Sequence, residues 1–235
     1  NIVITVLVVL LLLVPFTTAL AALSFSVEAG NGVVDQGSTL VSDVSDDSST
    51  QITINDTIEG GLKLGGTTYN DIYVGSNGYI TFGHPQTSFN PAGIASYTDG
   101  PMIAAQYDDI DPSKGGSIYI NEDDTNDRVT VTWYQVAPFG GPNPQYGSGV
   151  NTFQIRLHGT GGGNGDFGIE FRYDTINWIG GGGSGLPTAG WTFGDQTTYS
   201  EVSVSGETTF LTIESETNIS HPGVFGWDVS GGSVV

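Results

Sequence analysis

The 235-residue chain contains no cysteine. That excludes disulfides, zinc–thiolate centres, iron–sulfur clusters and a cysteine nucleophile together. Positive charge is nearly absent: five Lys and Arg stand against 25 Asp and Glu, for a formal net charge of -20. A phosphate backbone would be repelled, so nucleic acid is excluded as a partner. An anionic membrane surface would be repelled for the same reason. Charged residues of either sign make up only 13% of the chain, against a usual ~25%. The chain is nonetheless not a disordered one, because 11% of it is aromatic. Glycine is abundant instead. Its 36 copies are about twice the usual ~7% share, which points to many short strands joined by Gly turns. The length allows one large β domain or two small ones.

Residues 2–23, IVITVLVVLLLLVPFTTALAAL, carry no charge at all. As a helix, about 22 residues would span ~33 Å, roughly a bilayer's hydrocarbon core. Four readings of this run stay open. It can be a secretory signal with Ala19-Leu20-Ala21 as the small-x-small cleavage site, or a membrane anchor. It can be a hydrophobic helix in the core of a filament, an arrangement that resembles type IV pilin-like subunits, although Thr5 stands where the bacterial pattern has an acid. Pro15 would kink that helix or end it near Val14. Finally, the β-branched Ile2, Val3, Ile4, Thr5 and Val6 suit a donor strand added to a neighbour's sheet. In the polymer readings, Ile2, Ile4, Val6, Val8, Leu10, Leu12, Val14 and Phe16 are the assembly residues. Residues 1–28 therefore read as an assembly or anchor segment. The Ser-, Asp- and Gly-rich residues 29–50 read as a linker with one short strand at most. Residues 51–235 read as the head.

In the head the hydrophobic period is two. Residues 71–83 contain Asn77-Gly78 between alternating residues, the strongest short-range hairpin signal. Val129 to Val136 alternates, as does Phe153 to His158. Phe167, Ile169, Phe171 and Tyr173 share one strand face, with Gly168, Glu170 and Arg172 on the other. No window of helical length after Thr50 shows a 3.6-residue stripe. The expected fold is mainly β: an antiparallel β-sandwich head preceded by an N-terminal hydrophobic helix or donor strand.

Several short motifs occur in a telling order. Tyr69-Asn70-Asp71-Ile72-Tyr73-Val74 is followed by Ser76-Asn77-Gly78-Tyr79-Ile80-Thr81-Phe82-Gly83, and then by Pro101-Met102-Ile103-Ala104-Ala105-Gln106-Tyr107-Asp108-Asp109-Ile110-Asp111. Ala189-Gly190-Trp191 and the tail from Thr217 to Val229 complete the series. Over residues 51–230 this order resembles the NIDO domain of nidogen-like proteins, with Ala105-Gln106 replacing a Pro-Phe pair. The resemblance implies an extracellular β-rich module of adhesive or matrix proteins, with no enzymatic activity attached.

The chemistry-bearing residues are few. Gly163 to Gly168 matches G-x-G-x-x-G, but strands on both sides make it a hairpin loop rather than a dinucleotide site. Asp108, Asp109 and Asp111 form the densest carboxylate cluster and are the candidate Ca²⁺ ligands. Lys114 and Ile120 stand where an EF-hand needs Gly and Glu, so that loop type is rejected. The competing reading is a solvated acidic turn. Glu122, Asp123, Asp124 and Asp127 read as a hairpin tip. His84, His158 and His221 are isolated, with His158 on the polar face of its strand. No Ser is framed as a nucleophile elbow. Asn55 and Asn218 head N-glycosylation sequons. Tyr134, Tyr146, Trp178 and Trp191 are candidates for stacking on sugar, although core packing explains them as well.

The chain thus reads as a secreted, non-enzymatic structural subunit. It would polymerise with copies of itself into a glycosylated extracellular filament at the cell surface, with a glycan or matrix protein as a further ligand. The alternative is a membrane-anchored monomeric adhesion module. A secreted hydrolase using Asp109 or Asp111 is a distant third. No cofactor is expected other than the candidate Ca²⁺.

Overall fold

The computed structural model describes residues 22–30, 32–42, 45–91, 93–141, 145–161 and 163–235. The assembly residues Ile2, Ile4, Val6, Val8, Leu10, Leu12, Val14 and Phe16 lie outside the described residues. Among the described residues, no helix is long and apolar enough to cross a membrane.

In chain order the strands are β1 (Thr39–Leu40), β2 (Ser49–Thr53), β3 (Leu62–Leu64), β4 (Thr67–Tyr69) and β5 (Asp71–Gly75). They continue with β6 (Tyr79–Thr81), β7 (Met102–Tyr107), β8 (Ser117–Asp123), β9 (Arg128–Val136) and β10 (Gly147–Gly159). The last are β11 (Phe167–Trp178), β12 (Thr188–Thr192), β13 (Tyr199–Glu201), β14 (Val224–Ser230) and β15 (Ser233–Val234). They form a seven-stranded sheet, β1-β8-β9-β10-β11-β14-β15, a six-stranded sheet, β13-β12-β7-β6-β5-β2, and the small pair β3-β4. All pairings between strands are antiparallel. The Asn77-Gly78 signal is realised as the β5–β6 hairpin, in which Val74 faces Ile80. The remaining regular structure consists of 3-10 turns, the longest being Thr208–Ser215. Its Phe210 and Ile213 are buried, so a short apolar plug forms where the sequence shows no helical stripe.

The two large sheets pack as a sandwich. Ile72, Val74, Ile80 and Ile103 of one sheet share a core with Val131, Trp133, Phe153, Ile155, Phe171 and Tyr173 of the other. Two of the polar groups inside this core are paired across it, as burial favours. Trp133 Nε1 donates to the Gly75 and Ser76 carbonyls at 3.2 and 3.1 Å. The Tyr173 hydroxyl donates to the Ala105 carbonyl at 2.6 Å. Each of these bonds joins the two sheets.

The opposite face of the seven-stranded sheet is also covered, by residues 22–30 and 32–36. These residues were expected to divide between the assembly or anchor segment, 1–28, and the linker, 29–50; on the sheet they form a strap. Leu23, Phe25 and Val27 are half-buried, while Ser24, Ser26 and Glu28 are exposed. Phe25 stacks on His158 with ring centroids 4.3 Å apart. Gly168 and Gly226 leave a lane for these side chains: a Cβ at Gly226 would come within 2.6 Å of Leu23, and one at Gly168 would run into the Phe25 ring. Both ends of the strap are pinned by polar groups. Ser24 donates from its backbone and its hydroxyl to the Asp228 carboxylate. Gln154 donates to the Val34 carbonyl and accepts from the Val34 amide.

Candidate functional site

Polar chemistry gathers at two places. The first lies beneath the strap, on the outward-pointing positions of β9, β10 and β11. Register places Arg156 directly opposite both Thr130 and Glu170. Glu170 is fully buried. It accepts from Arg156 Nη1 at 3.1 Å, Arg172 Nη1 at 2.7 Å and His158 Nε2 at 2.6 Å. Arg156 also reaches Glu28 and Asp35 of the strap, and Arg128 joins Asp35 and Asp123. Arg172 donates to the carbonyls of Glu28, Gly30 and Gly32. All three arginines of the chain therefore serve one face.

Burial on its own would raise Glu170, but the His158 hydrogen bond and the Arg156 charge hold it down at about 2. His158 is lowered from its ordinary value, chiefly by burial, with Arg156 and Arg128 adding to the effect and Glu170 opposing it. Neutral His158 facing an ionised carboxylate must carry its proton on Nε2. The polar strand face expected for His158 is thus a buried one.

This arrangement sets a pH dependence. A histidine whose folded pKa lies below its unfolded value stabilises the fold fully above the unfolded pKa of ~6.5. That contribution is lost as pH falls from there toward the lowered folded value. His158→Gln keeps a donor toward Glu170 and cannot titrate. The Tm gap between wild type and H158Q is expected to narrow between pH 7.5 and pH 5 in parallel thermal melts. A gap that widens on acidification would contradict the lowered value.

The second place is one end of the sandwich, where the turn before β2, the β5–β6 hairpin, the end of β7 and the 180–183 loop meet. The three acids expected to act together are separated in role. Asp108 is fully buried and accepts from the amides of Gly180, Gly181 and Asp109 at 2.8, 2.9 and 2.8 Å. Burial raises it to about 6 against the pull of those amides. Asp111 accepts from the Ser113 amide and hydroxyl at 2.9 and 2.5 Å and caps the 3-10 turn Pro112–Lys114. Asp109 alone turns toward the turn before β2, where its carboxylate meets those of Asp46 and Asp47. One oxygen from each of the three lies within 4.8 Å of the others. Burial first, and then the charges of Asp47, Asp46, Asp108 and Asp111, push Asp109 up to about 7.

Asn77 holds this corner together. Its Nδ2 donates to Asp47 at 2.9 Å and its Oδ1 accepts from the Ile110 amide at 2.8 Å. Asp46 and Asp47 were not singled out in the sequence, because they sit in a Ser- and Asp-rich stretch more than 60 positions from Asp109. Asn77 was legible only as a turn residue.

The remaining candidates fall elsewhere. Asn55 is exposed, and no described residue hydrogen-bonds to its side chain. Asn218 is also exposed but engaged: its Nδ2 donates to the Gly226 carbonyl at 3.0 Å and its Oδ1 accepts from the Gly226 amide at 2.8 Å. Of the aromatics offered for sugar stacking, Trp178 is only 1% exposed and Trp191 7%. Trp178 is held inward by its bond to the Val136 carbonyl. Tyr134 and Tyr146 are half-buried. Packing therefore accounts for both tryptophans. The Gly163–Gly168 stretch lies between β10 and β11, in the hairpin connection expected of it.

Comparison with known proteins agrees with this architecture. A family model described as NIDO related matches residues 24–229. That match begins at the strap, well before residue 51. Alpha-tectorin of Mus musculus is 28% identical over 200 residues, covering 71% of this chain and 9% of that protein. Alpha-tectorin of Homo sapiens is 27% identical with the same coverage. The chain thus spans less than a tenth of the length of these curated relatives. No solved structure matches it significantly. With most of its length matched by one family model, from the strap to β14, the chain belongs to the NIDO-related family.

Proposed function

We propose that this chain is an extracellular adhesion or matrix module whose apolar residues 2–23 join copies of it into a cell-surface filament. Membership of the NIDO-related family supports the extracellular, non-catalytic part of this reading. The observation that carries the filament part is the strap. Residues 24–36 are fastened to the sheet by Arg156, Arg172 and Gln154, and the apolar run immediately precedes them. Ser24, next after that run, is fixed beside Asp228, and on this reading the stem starts from a fixed point instead of a flexible tether. Fixed head-to-stem geometry is what a heterologous contact needs to repeat as an open helix. Burying about 22 apolar residues at ~1–2 kcal/mol each would drive such assembly.

The test is electron microscopy of material shed from cells producing the full chain. Filaments with residues 2–23 packed between subunits are the expected result. Dispersed particles that need detergent to stay in solution would overturn the filament reading and leave an anchored adhesion module.

Glycan occupancy on the secreted protein is expected to differ between the two sequons. A glycan on Asn55 would project into solvent. Asn218 is held against the Gly226 backbone by both its bonds, and a glycan would have to take one of its two Nδ2 hydrogens there, so glycopeptide mass spectrometry should find Asn55 more fully occupied than Asn218. Full occupancy of Asn218 on folded protein would contradict this.

A further inference from the structure

We propose that Asp46, Asp47 and Asp109 form a divalent-cation site suited to Ca²⁺, which clamps the turn before β2 onto the end of β7. The geometry admits one ion. Oxygens bound at about 2.3–2.6 Å on opposite sides of a Ca²⁺ lie roughly 4.6–5.2 Å apart, and the three carboxylates present oxygens within 4.8 Å of one another.

Crowded acids alone would not assign a site. The second observation is where acceptor capacity is left unused. Asp109 is 4% exposed, yet its carboxylate receives no hydrogen bond or ion pair from any described residue. Oδ1 of Asp46 is shielded from solvent and likewise has no partner among the described residues. A buried polar group without a partner is costly, and a buried charge more so. The neighbouring acids show the contrast, because backbone amides satisfy Asp108 and Ser113 satisfies Asp111. Of the three converging carboxylates only Asp47 has a side-chain donor, Asn77, and that bond occupies a single oxygen. Lys114 exerts a field on Asp46, but no ion pair among the described residues reaches the three carboxylates.

The donor set selects the metal class. The three converging groups are all carboxylates, which suits a hard cation rather than zinc or copper. Ca²⁺ accepts irregular loop ligands, whereas Mg²⁺ demands near-octahedral geometry. Three negative charges against two positive ones leave the clamp mildly acidic. Gly182 packs on the Asp109 carboxylate, where a Cβ would collide with Oδ2. The 180–183 loop therefore walls the site on the side where its first two amides hold Asp108.

The test uses the full chain, stripped with EDTA and melted against added CaCl₂ or MgCl₂. Terbium luminescence gives a second readout, sensitised by Tyr79 and Tyr107, which lie within electrostatic reach of Asp47. Half-saturation is expected at about 10⁻⁴–10⁻³ M Ca²⁺, the range of extracellular modules. At tenfold that concentration Tm should rise by about 3–6 °C, and Mg²⁺ should do far less. Asp109→Asn should melt above wild type in EDTA, because mutual repulsion is relieved, and should lose the Ca²⁺ response. Asp46→Asn gives the same reading should D109N not fold. The exposed Glu207→Gln should respond as wild type does. No wild-type response up to about 10 mM Ca²⁺, well beyond that affinity range, would overturn the assignment. So would D109N and D46N responding like wild type, or E207Q losing the response, which would mark general charge screening.

Discussion

Replacing Glu170 with Gln is expected to cost about 3–5 kcal/mol of stability, read as a shift of the urea midpoint at pH 7. Breaking a buried ion pair by removing one partner typically costs that much, because the other charge stays behind uncompensated. Here two charges stay behind. Arg156 has no side-chain exposure and Arg172 has 1%, and both point at Glu170. The introduced carboxamide would also present N–H groups to two guanidinium donors. A variant as stable as wild type would show that Glu28, Asp35 and the strap carbonyls already satisfy both arginines. The strap should loosen along with the pair, since Arg172 holds it through three carbonyls.

Gly78→Ala should be as damaging, for a reason unrelated to charge. Gly78 has φ 82°, a left-handed conformation that costs an L-residue roughly 1–2 kcal/mol. The larger cost is steric. An added Cβ would overlap the Gln106 carbonyl oxygen, which belongs to β7 and cannot move freely. The Gly78 carbonyl itself accepts the amides of Ala105 and Gln106 at 3.1 and 3.2 Å. Overpacking adds about 1–3 kcal/mol, so the total is about 2–5 kcal/mol. Chemical denaturation of G78A should show it, with loss of soluble protein as the extreme outcome. Gly83→Ala, with φ 83° but only the Tyr69 ring edge at 3.3 Å, should be clearly milder.

Much of the head was legible because its signals are local. Alternation along Val129 to Val136 and Phe167 to Tyr173 gives strands whatever they pair with, and Asn77-Gly78 sets its own turn. Which residues face the core followed from the same period. What was not legible depends on distant chain. Glu170, Arg172 and His158 look solvated on their strands, and only a strap over 120 positions away makes them buried. That strap has little periodicity to announce it, so it read as part stem and part tether. Asp109 was singled out, but its partners Asp46 and Asp47 carry no spacing that links them to it. Trp178 and Trp191 sit near loops in sequence yet are turned inward by packing.

The confinement of every arginine to one covered face also bears on durability outside a cell. Enzymes that cut after basic residues have five positions to choose from in the whole chain. Arg128, Arg156 and Arg172 lie in paired strands beneath the strap, and Lys63 is half-buried in β3. Only Lys114, at the end of a short turn, is exposed. Trypsin-like digestion of the native protein is therefore limited to a single nick after Lys114. Further cleavage requires the fold to open, so the rate of complete digestion reports the population of opened chain.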